Sequence, residues 1–119
     1  MYEYLSYDIE LRKLLIHIGI TPNYRGYNYI VFAIQMVFKD PRCLQYVTKE
    51  LYPGIAEEYD TDWRAVEHGI RIAILRSWKK DSARFENTFG IWGKEIPSVG
   101  KFLAVVYEYL RMKDAEKAI

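Results

Sequence analysis

The sequence predicts an all-α protein, a single compact domain of six or seven helices that includes a helix-turn-helix. Three observations lead to this fold class. Apolar residues recur at helical spacing along the chain, strand signals are scarce, and only short loops separate the helical segments. A chain of 119 residues with 50% hydrophobic residues has the length and apolar content of one globular domain.

The first two predicted helices flank a turn at Thr21-Pro22. The first covers about Tyr7 to Ile18, and Gly19 offers a C-terminal stop. The second covers about Tyr24 to Lys39. Its apolar residues have the i, i+3, i+4, i+7 spacing of a buried face, and they are Tyr27, Ile30, Val31, Ile34, Val37 and Phe38.

A third helix is predicted to begin at Asp40-Pro41, an N-cap followed by proline at the first helical position. We expect it to continue through Leu51. Pro53 then kinks or restarts the helix, because proline lacks the backbone N–H of a helix interior. A short piece, Gly54 to Tyr59, continues it.

The segment Ile55 to Arg71 has the pattern of a helix-turn-helix. The small Ala56 allows the second helix of the motif to cross close over the first. Asp60 occupies the turn position where glycine is common, and aspartate tolerates a left-handed backbone better than most residues. Asp60 or Thr61 is expected to cap the next helix, which covers about Asp62 to Lys79.

A helical wheel divides this long helix into two faces. The predicted buried stripe consists of Trp63, Val66, Ile70, Ala73 and Ile74. The opposite face carries Arg64, His68, Arg71 and Leu75, with Glu67 on one edge. Because arginine can bind guanine and glutamate can accept from a cytosine amino group, this face suits the reading of bases in a major groove. The candidates for contact with the DNA backbone are Thr61, Arg76, Lys79 and Lys80.

Two further helices complete the prediction. A short one covers Ser82 to Phe89 and precedes a turn around Gly90 and Gly93. Pro97-Ser98 opens the last one. We expect Trp92, within the turn, to belong to the core or to cover it locally.

Composition and motif content exclude several classes of protein. Seventeen basic and sixteen acidic residues give a net charge of +1, which disfavours a strongly basic nucleic-acid coat protein. One cysteine, Cys43, and two histidines form neither an internal disulfide nor a Cys/His zinc cage. Paired carboxylates, a catalytic triad and a phosphate loop are lacking, so we expect no enzyme, no cofactor and no metal site.

The sequence also lacks a targeting signal and a membrane span. Its longest apolar-looking stretch, Tyr29 to Phe38, is too short to cross a bilayer as a helix. We therefore expect a cytoplasmic protein that is associated with the nucleoid when it is bound to DNA.

Several stretches between about Leu15 and Met112 match a known family in order and spacing. They are Ile18-Gly-Ile20, Gly26-Tyr-Asn-Tyr29, Ala33-Ile-Gln-Met-Val37, Thr48 to Ala56, Val66-Glu67, Ile70-Arg71, Ala73-Ile74, Trp78 and Phe89-Gly90. On these residues the chain resembles the C-terminal DNA-binding effector domain of the master sporulation response regulator of endospore-forming Firmicutes. We expect residues 1–14 to form an N-terminal extension and the start of the first helix, and residues 15–119 to form the effector domain.

The resemblance implies an all-helical fold that binds direct-repeat DNA boxes, with two domains arranged head to tail. It also implies contact with RNA polymerase and its sigma factor. In the family, a phosphorylated receiver domain on the N-terminal side normally switches the effector. We expect no receiver domain here, because Met1 to about Leu14 cannot hold one.

The recognition helix departs from the family pattern, which is Ser-Arg-Val-Glu-Arg-Ala-Ile-Arg-His. The corresponding segment here is Arg64-Ala-Val-Glu-His-Gly-Ile-Arg-Ile72, in which Glu67 and Arg71 match. The positions that lose an arginine or a histidine are Ala65, His68 and Ile72. Arg64 lies one residue earlier, about 100° around the helix, so it cannot simply replace the missing guanidinium.

We therefore predict a sequence-specific, DNA-binding transcription regulator whose base preference differs from that of the family. The alternative is an interaction module that binds a related regulator or RNA polymerase without reading DNA. The near-zero net charge, Ala65 and the apolar Ile72 favour this alternative.

Overall fold

The computed structural model describes residues 2–118, with the side chains of residues 7–117. Its α-helices are α1 (Tyr2–His17), α2 (Arg25–Lys39), α3 (Tyr52–Glu58), α4 (Trp63–Lys80), α5 (Ser82–Phe89) and α6 (Val99–Ala118). Shorter helical turns are a 3-10 turn at Pro41–Gln45, a π turn at Val47–Leu51 and a 3-10 turn at Gly90–Gly93. Residues 2–118 contain no strand, and the predicted all-α fold is confirmed.

The hydrophobic core forms around α2, which packs against α1, α3, α4 and α6. The fully buried residues of α2 are Ile30, Ala33, Ile34 and Val37. An aromatic cluster joins α5 to α6, where the rings of Phe85 and Phe89 lie with centroids 6.2 and 6.0 Å from that of Phe102. Ser77 is a buried polar residue of α4, and its hydroxyl donates to the backbone carbonyl of Ile18. This bond ties α4 to the end of α1.

α2 and α4 cross at a point where each helix carries a glycine. A Cβ atom on Gly26 would lie 2.4 Å from the carbonyl oxygen of Gly69 and 2.8 Å from the Cβ of Ala73. A Cβ atom on Gly69 would lie 2.9 Å from the Cε2 of Tyr29. The two helices therefore meet backbone to backbone, and this contact fixes the position of α4 on the core.

The predicted limits of three helices agree closely with the structure, whereas the predicted start of the first helix does not. α2 and α5 have the predicted limits to within one residue, and α4 is displaced by one residue at each end. The start of α1 was predicted at Tyr7, which is wrong, because the helix begins at Tyr2. Residues 2–6 contain neither glycine nor proline, so the helix extends beyond its apolar stripe.

The third predicted helix is wrong as a continuous element. Asp40 is the expected cap, since its carboxylate accepts from the backbone N–H of Arg42 at 3.1 Å. However, the chain forms a 3-10 turn, breaks at Tyr46, and continues as a π turn before α3 begins. Pro53, near the start of α3, cannot donate to the carbonyl of Lys49 and crowds that turn, which favours the wider π geometry.

The turn before α4 corrects the predicted cap. Asp62, and not Asp60 or Thr61, is the N-cap of α4, and its carboxylate accepts from the backbone N–H of Ala65 at 2.9 Å. Asp60 has the left-handed backbone expected at the glycine-like position, with φ of 52°. The backbone N–H of Thr61 donates to the carbonyl of Ala56 and closes the turn. The three candidates thus have distinct roles in three consecutive positions.

Replacing Asp62 with alanine should lower the free energy of unfolding by about 0.5–2 kcal/mol, because an orphan N–H of α4 loses its acceptor. Asp62→Asn keeps an acceptor and should stay within about 0.5 kcal/mol of the wild type. Urea unfolding followed by circular dichroism measures both. Equal losses in the two variants would attribute the effect to the charge at the positive helix end, and not to the capping bond.

Candidate nucleic-acid interface

α3, the turn and α4 form the helix-turn-helix. Val66 and Ile70 are fully buried and anchor α4, and Ala56 is buried on α3, as predicted. α3 and α4 pack against each other directly. The anchored inner stripe turns the opposite side of α4 away from the core, which leaves one continuous helical face for contact with a partner.

That outer face brings three of the four predicted base-reading residues together. The Nε atom of Arg71 donates to the carboxylate of Glu67 at 3.2 Å. The Nη2 atom of Arg71 lies 3.1 Å from the Nδ1 of His68, which accepts when its proton is on Nε2. The side chain of Arg71 is 54% exposed and that of Glu67 is 30% exposed. Arg71 is thus held between an acceptor on each side while part of its guanidinium still faces solvent.

The fourth residue, Arg64, is held differently. Its guanidinium carbon lies 5.0 Å from the ring centroid of Trp63, the geometry of a cation–π contact. The prediction that Trp63 belongs to the buried stripe is wrong, because this residue is 41% exposed. Trp63 is the first residue of α4, and the buried stripe begins one turn later, at Val66.

The predicted backbone-contact residues lie at both ends of α4. Thr61 is exposed in the turn at the N-terminal end. Arg76, Lys79 and Lys80 are exposed near the C-terminal end, and the Arg76 guanidinium lies 5.7 Å from the ring centroid of Tyr24. Since α4 has 18 residues, these groups flank the base-reading face over about 27 Å.

Sequence reasoning did not identify Arg25 as part of this surface. Arg25 is the first residue of α2, it is exposed, and it lines a pocket together with Asp60 and Thr61. Only the close approach of Gly26 to Gly69 brings this arginine next to the helix-turn-helix. No local pattern in the sequence predicts that these two helices meet there.

The charge of the interface is uneven. Acidic residues concentrate at the end of α3 and in the turn, and they are Glu57, Glu58, Asp60 and Asp62, all exposed. Basic residues follow along α4, from Arg64 to Lys80. The local field therefore changes sign along the motif, and the positive part coincides with the outer face of α4.

Tyr52 on α3 is buried beside this face. Burial raises the pKa of Tyr52 from 10.0 to about 12, and the negative charge of Glu67 adds to the shift. The folded state therefore binds the phenolic proton more tightly than the unfolded chain does. Stability from this group is complete below pH 10 and is lost as the pH rises from about 10 toward 12.

Tyr52→Phe should remove this alkaline loss of stability, which amounts to about 2–3 kcal/mol for a shift of this size. Urea unfolding at pH 9 and near pH 11.5 measures the part of this stability that is lost by pH 11.5, which is about 2 kcal/mol for a pKa raised from 10.0 to about 12. Tyr46→Phe, at an exposed tyrosine, is the matched control and should leave the loss in place. An alkaline loss that is unchanged in Tyr52→Phe would contradict the assignment.

Among residues 7–117, whose side chains the structure describes, no three His, Cys, Asp or Glu side chains are placed to hold a metal ion. Cys43 is buried, and burial raises the pKa of its thiol, so the thiolate is disfavoured. None of the described helices is long and apolar enough to cross a membrane.

The chain matches a known protein family. The model of the family described as "Sporulation initiation factor Spo0A C terminal" matches residues 11–110. The matched range includes α2 to α5 entirely and therefore the complete helix-turn-helix.

Proposed function

The chain belongs to the Spo0A C-terminal family, the DNA-binding effector domains of a sporulation regulator, and from this premise we propose that it regulates transcription by binding DNA sequence-specifically. α4 enters the major groove, as the second helix of a helix-turn-helix does. The proposal is carried by one observation: Arg71 is held by Glu67 and His68 on the outer face of the anchored helix.

Each residue of the outer face has a distinct role in this proposal. The guanidinium of Arg71 donates to the O6 and N7 atoms of a guanine. Glu67 accepts from a cytosine amino group and keeps Arg71 directed toward the base pairs. His68 and Arg64 contact neighbouring bases or phosphates. Because Ala65 cannot make the contact of the family's arginine, the preferred sequence differs from the family's box.

Contacts to the DNA backbone set the position of α4 in the groove. Thr61 and Arg25 bind phosphates on one side of the reading face, and Arg76, Lys79 and Lys80 bind them on the other. The exposure of these residues at the two ends of α4 supports this arrangement. In keeping with the family, two copies bind tandem sites head to tail and contact the sigma factor of RNA polymerase, and the protein acts in the cytoplasm on the nucleoid.

Selection of bound duplexes from a random DNA library tests the proposal. At about 150 mM salt, diffuse phosphate binding is suppressed, and a repeated short box should be enriched. The box should contain guanine where Arg71 reads and should differ from the family's box at the position facing Ala65. No enrichment by the folded protein would contradict sequence-specific binding.

A second candidate function is an interaction module that does not read DNA. It is favoured by an apolar cleft of about 470 Å³ between α5, the Gly90–Gly93 turn and α6. Trp92 lines this cleft and is 53% exposed, so the expectation that it belongs to the core or covers it is wrong. The turn that carries Trp92 packs mainly on α5, which leaves much of the ring uncovered. Gel filtration with a full-length family member at micromolar concentration tests this function, and co-elution supports it.

A further inference from the structure

The N-terminal end of α4 carries an aromatic ring that is only partly buried in the core. Trp63 is the first residue of α4, directly after the Asp62 cap, and is 41% exposed. Tryptophan carries a large apolar surface, which is stabilising when it is covered. The residues that cover the inner face of α4 leave a large part of this ring in solvent. The cap fixes the backbone on which the ring is mounted.

The exposed ring also organises its neighbour. The guanidinium of Arg64 lies 5.0 Å from the Trp63 ring centroid. Among the residues that the structure describes, the Arg64 side chain has no hydrogen-bond or ion-pair partner, so its N–H groups are available to a ligand. Arg71 differs, because Glu67 and His68 already occupy part of its donor set. The aromatic face therefore directs Arg64 without using its N–H groups.

The position of this pair matters because of how a recognition helix enters DNA. The N-terminal residues of such a helix lie deepest among the base edges. Two ligand groups in the major groove match the pair. The 5-methyl group of thymine is apolar and contacts apolar side chains, and the O6 and N7 atoms of guanine accept from an arginine fork.

We infer that Trp63 is a specificity-determining residue, whose indole packs on a thymine 5-methyl group and positions Arg64 for a neighbouring guanine. This inference rests on the proposed function and extends it to a residue outside the predicted reading set. It assigns to the protein a preference for adjacent thymine and guanine at the position that the start of α4 contacts.

Deoxyuridine substitution isolates the methyl contact. The probe is the duplex that the wild-type protein selects, in which each thymine in turn is replaced by deoxyuridine, so that only a methyl group is lost. For the wild type, one thymine next to a guanine should show about a three- to fivefold loss of affinity, as expected for one buried methyl group. Trp63→Ala should bind thymine and deoxyuridine duplexes equally. Trp63→Phe should restore part of the discrimination, since a ring remains.

Two comparisons keep the inference separate from folding and from the proposed function. Trp92→Ala removes another exposed tryptophan, whose ring carries Lys101 at 5.1 Å, and should keep wild-type discrimination. A wild-type protein that binds its box but shows no thymine sensitivity overturns the inference alone, and this result does not depend on any variant's fold. A wild-type protein that selects no box overturns the proposed function and the inference together. Equal discrimination by Trp63→Ala and the wild type also overturns the inference.

Discussion

Replacing Arg71 with alanine should strongly weaken specific DNA binding. A bidentate arginine–guanine contact discriminates by about 1–3 kcal/mol, which corresponds to a five- to 150-fold loss of affinity for the selected box. The change also leaves the Glu67 carboxylate without its guanidinium partner in a groove lined by phosphates, which adds to the loss. Combining it with Arg64→Ala should bring affinity to the level of non-specific DNA.

Arg42→Ala is the matched control for this experiment. Arg42 has the same charge, its side chain is 82% exposed, and it pairs with Asp40 outside the helix-turn-helix. Its loss should change the affinity for the box less than twofold, as expected for an exposed charge outside the interface. Fluorescence anisotropy with the selected duplex and with a scrambled duplex measures both variants. Unchanged affinity of the Arg64→Ala, Arg71→Ala double variant would rule out base reading by this face.

Stability should not explain the loss in Arg71→Ala. The Arg71–Glu67 pair is an exposed i, i+4 ion pair, and such pairs contribute about 0.3–0.5 kcal/mol to a helix. The variant should therefore unfold at nearly the wild-type urea concentration. Because the fold remains, the change in affinity reports on the interface itself.

The second large effect is expected for Gly26→Ala. The new Cβ would lie 2.4 Å from the backbone oxygen of Gly69, an atom that cannot move without displacing α4. We expect the free energy of unfolding to fall by about 1–3 kcal/mol or more, as in other overpacked contacts. Any folded fraction should also bind DNA more weakly, because α4 moves relative to Arg25 and to the rest of the interface.

Gly100→Ala is the control for the helix propensity of alanine. A Cβ on Gly100 would lie 3.7 Å from the Cγ2 of Val47, an ordinary contact. This variant should be as stable as the wild type, or more stable by up to about 1 kcal/mol, since alanine favours a helix over glycine. Thermal unfolding measures both variants. A Gly26→Ala protein with wild-type stability would mean that α2 and α4 do not meet backbone to backbone.

The limits of α2, α4 and α5 and the polar face of α4 could be predicted from the sequence, because they depend on near neighbours in the chain. The apolar spacing of Val66 and Ile70 determines which side of α4 is buried, and the same spacing places Arg64 and Arg71 on the other side. α5 has the predicted limits for a similar reason, since Asp81 caps its start and Gly90, with φ of 64°, ends it. Local periodicity and local capping contain this information.

Tertiary packing decided the features that join distant parts of the chain. The stripe rule placed Trp63 inside, yet its exposure depends on where the partners of α4 end, and no spacing within α4 encodes that limit. The approach of Gly26 to Gly69 and the position of Arg25 beside Thr61 require two helices to meet at one register. The periodicity of a helix can be recognised in its own sequence. The register between two helices depends on the shape of every side chain at their crossing.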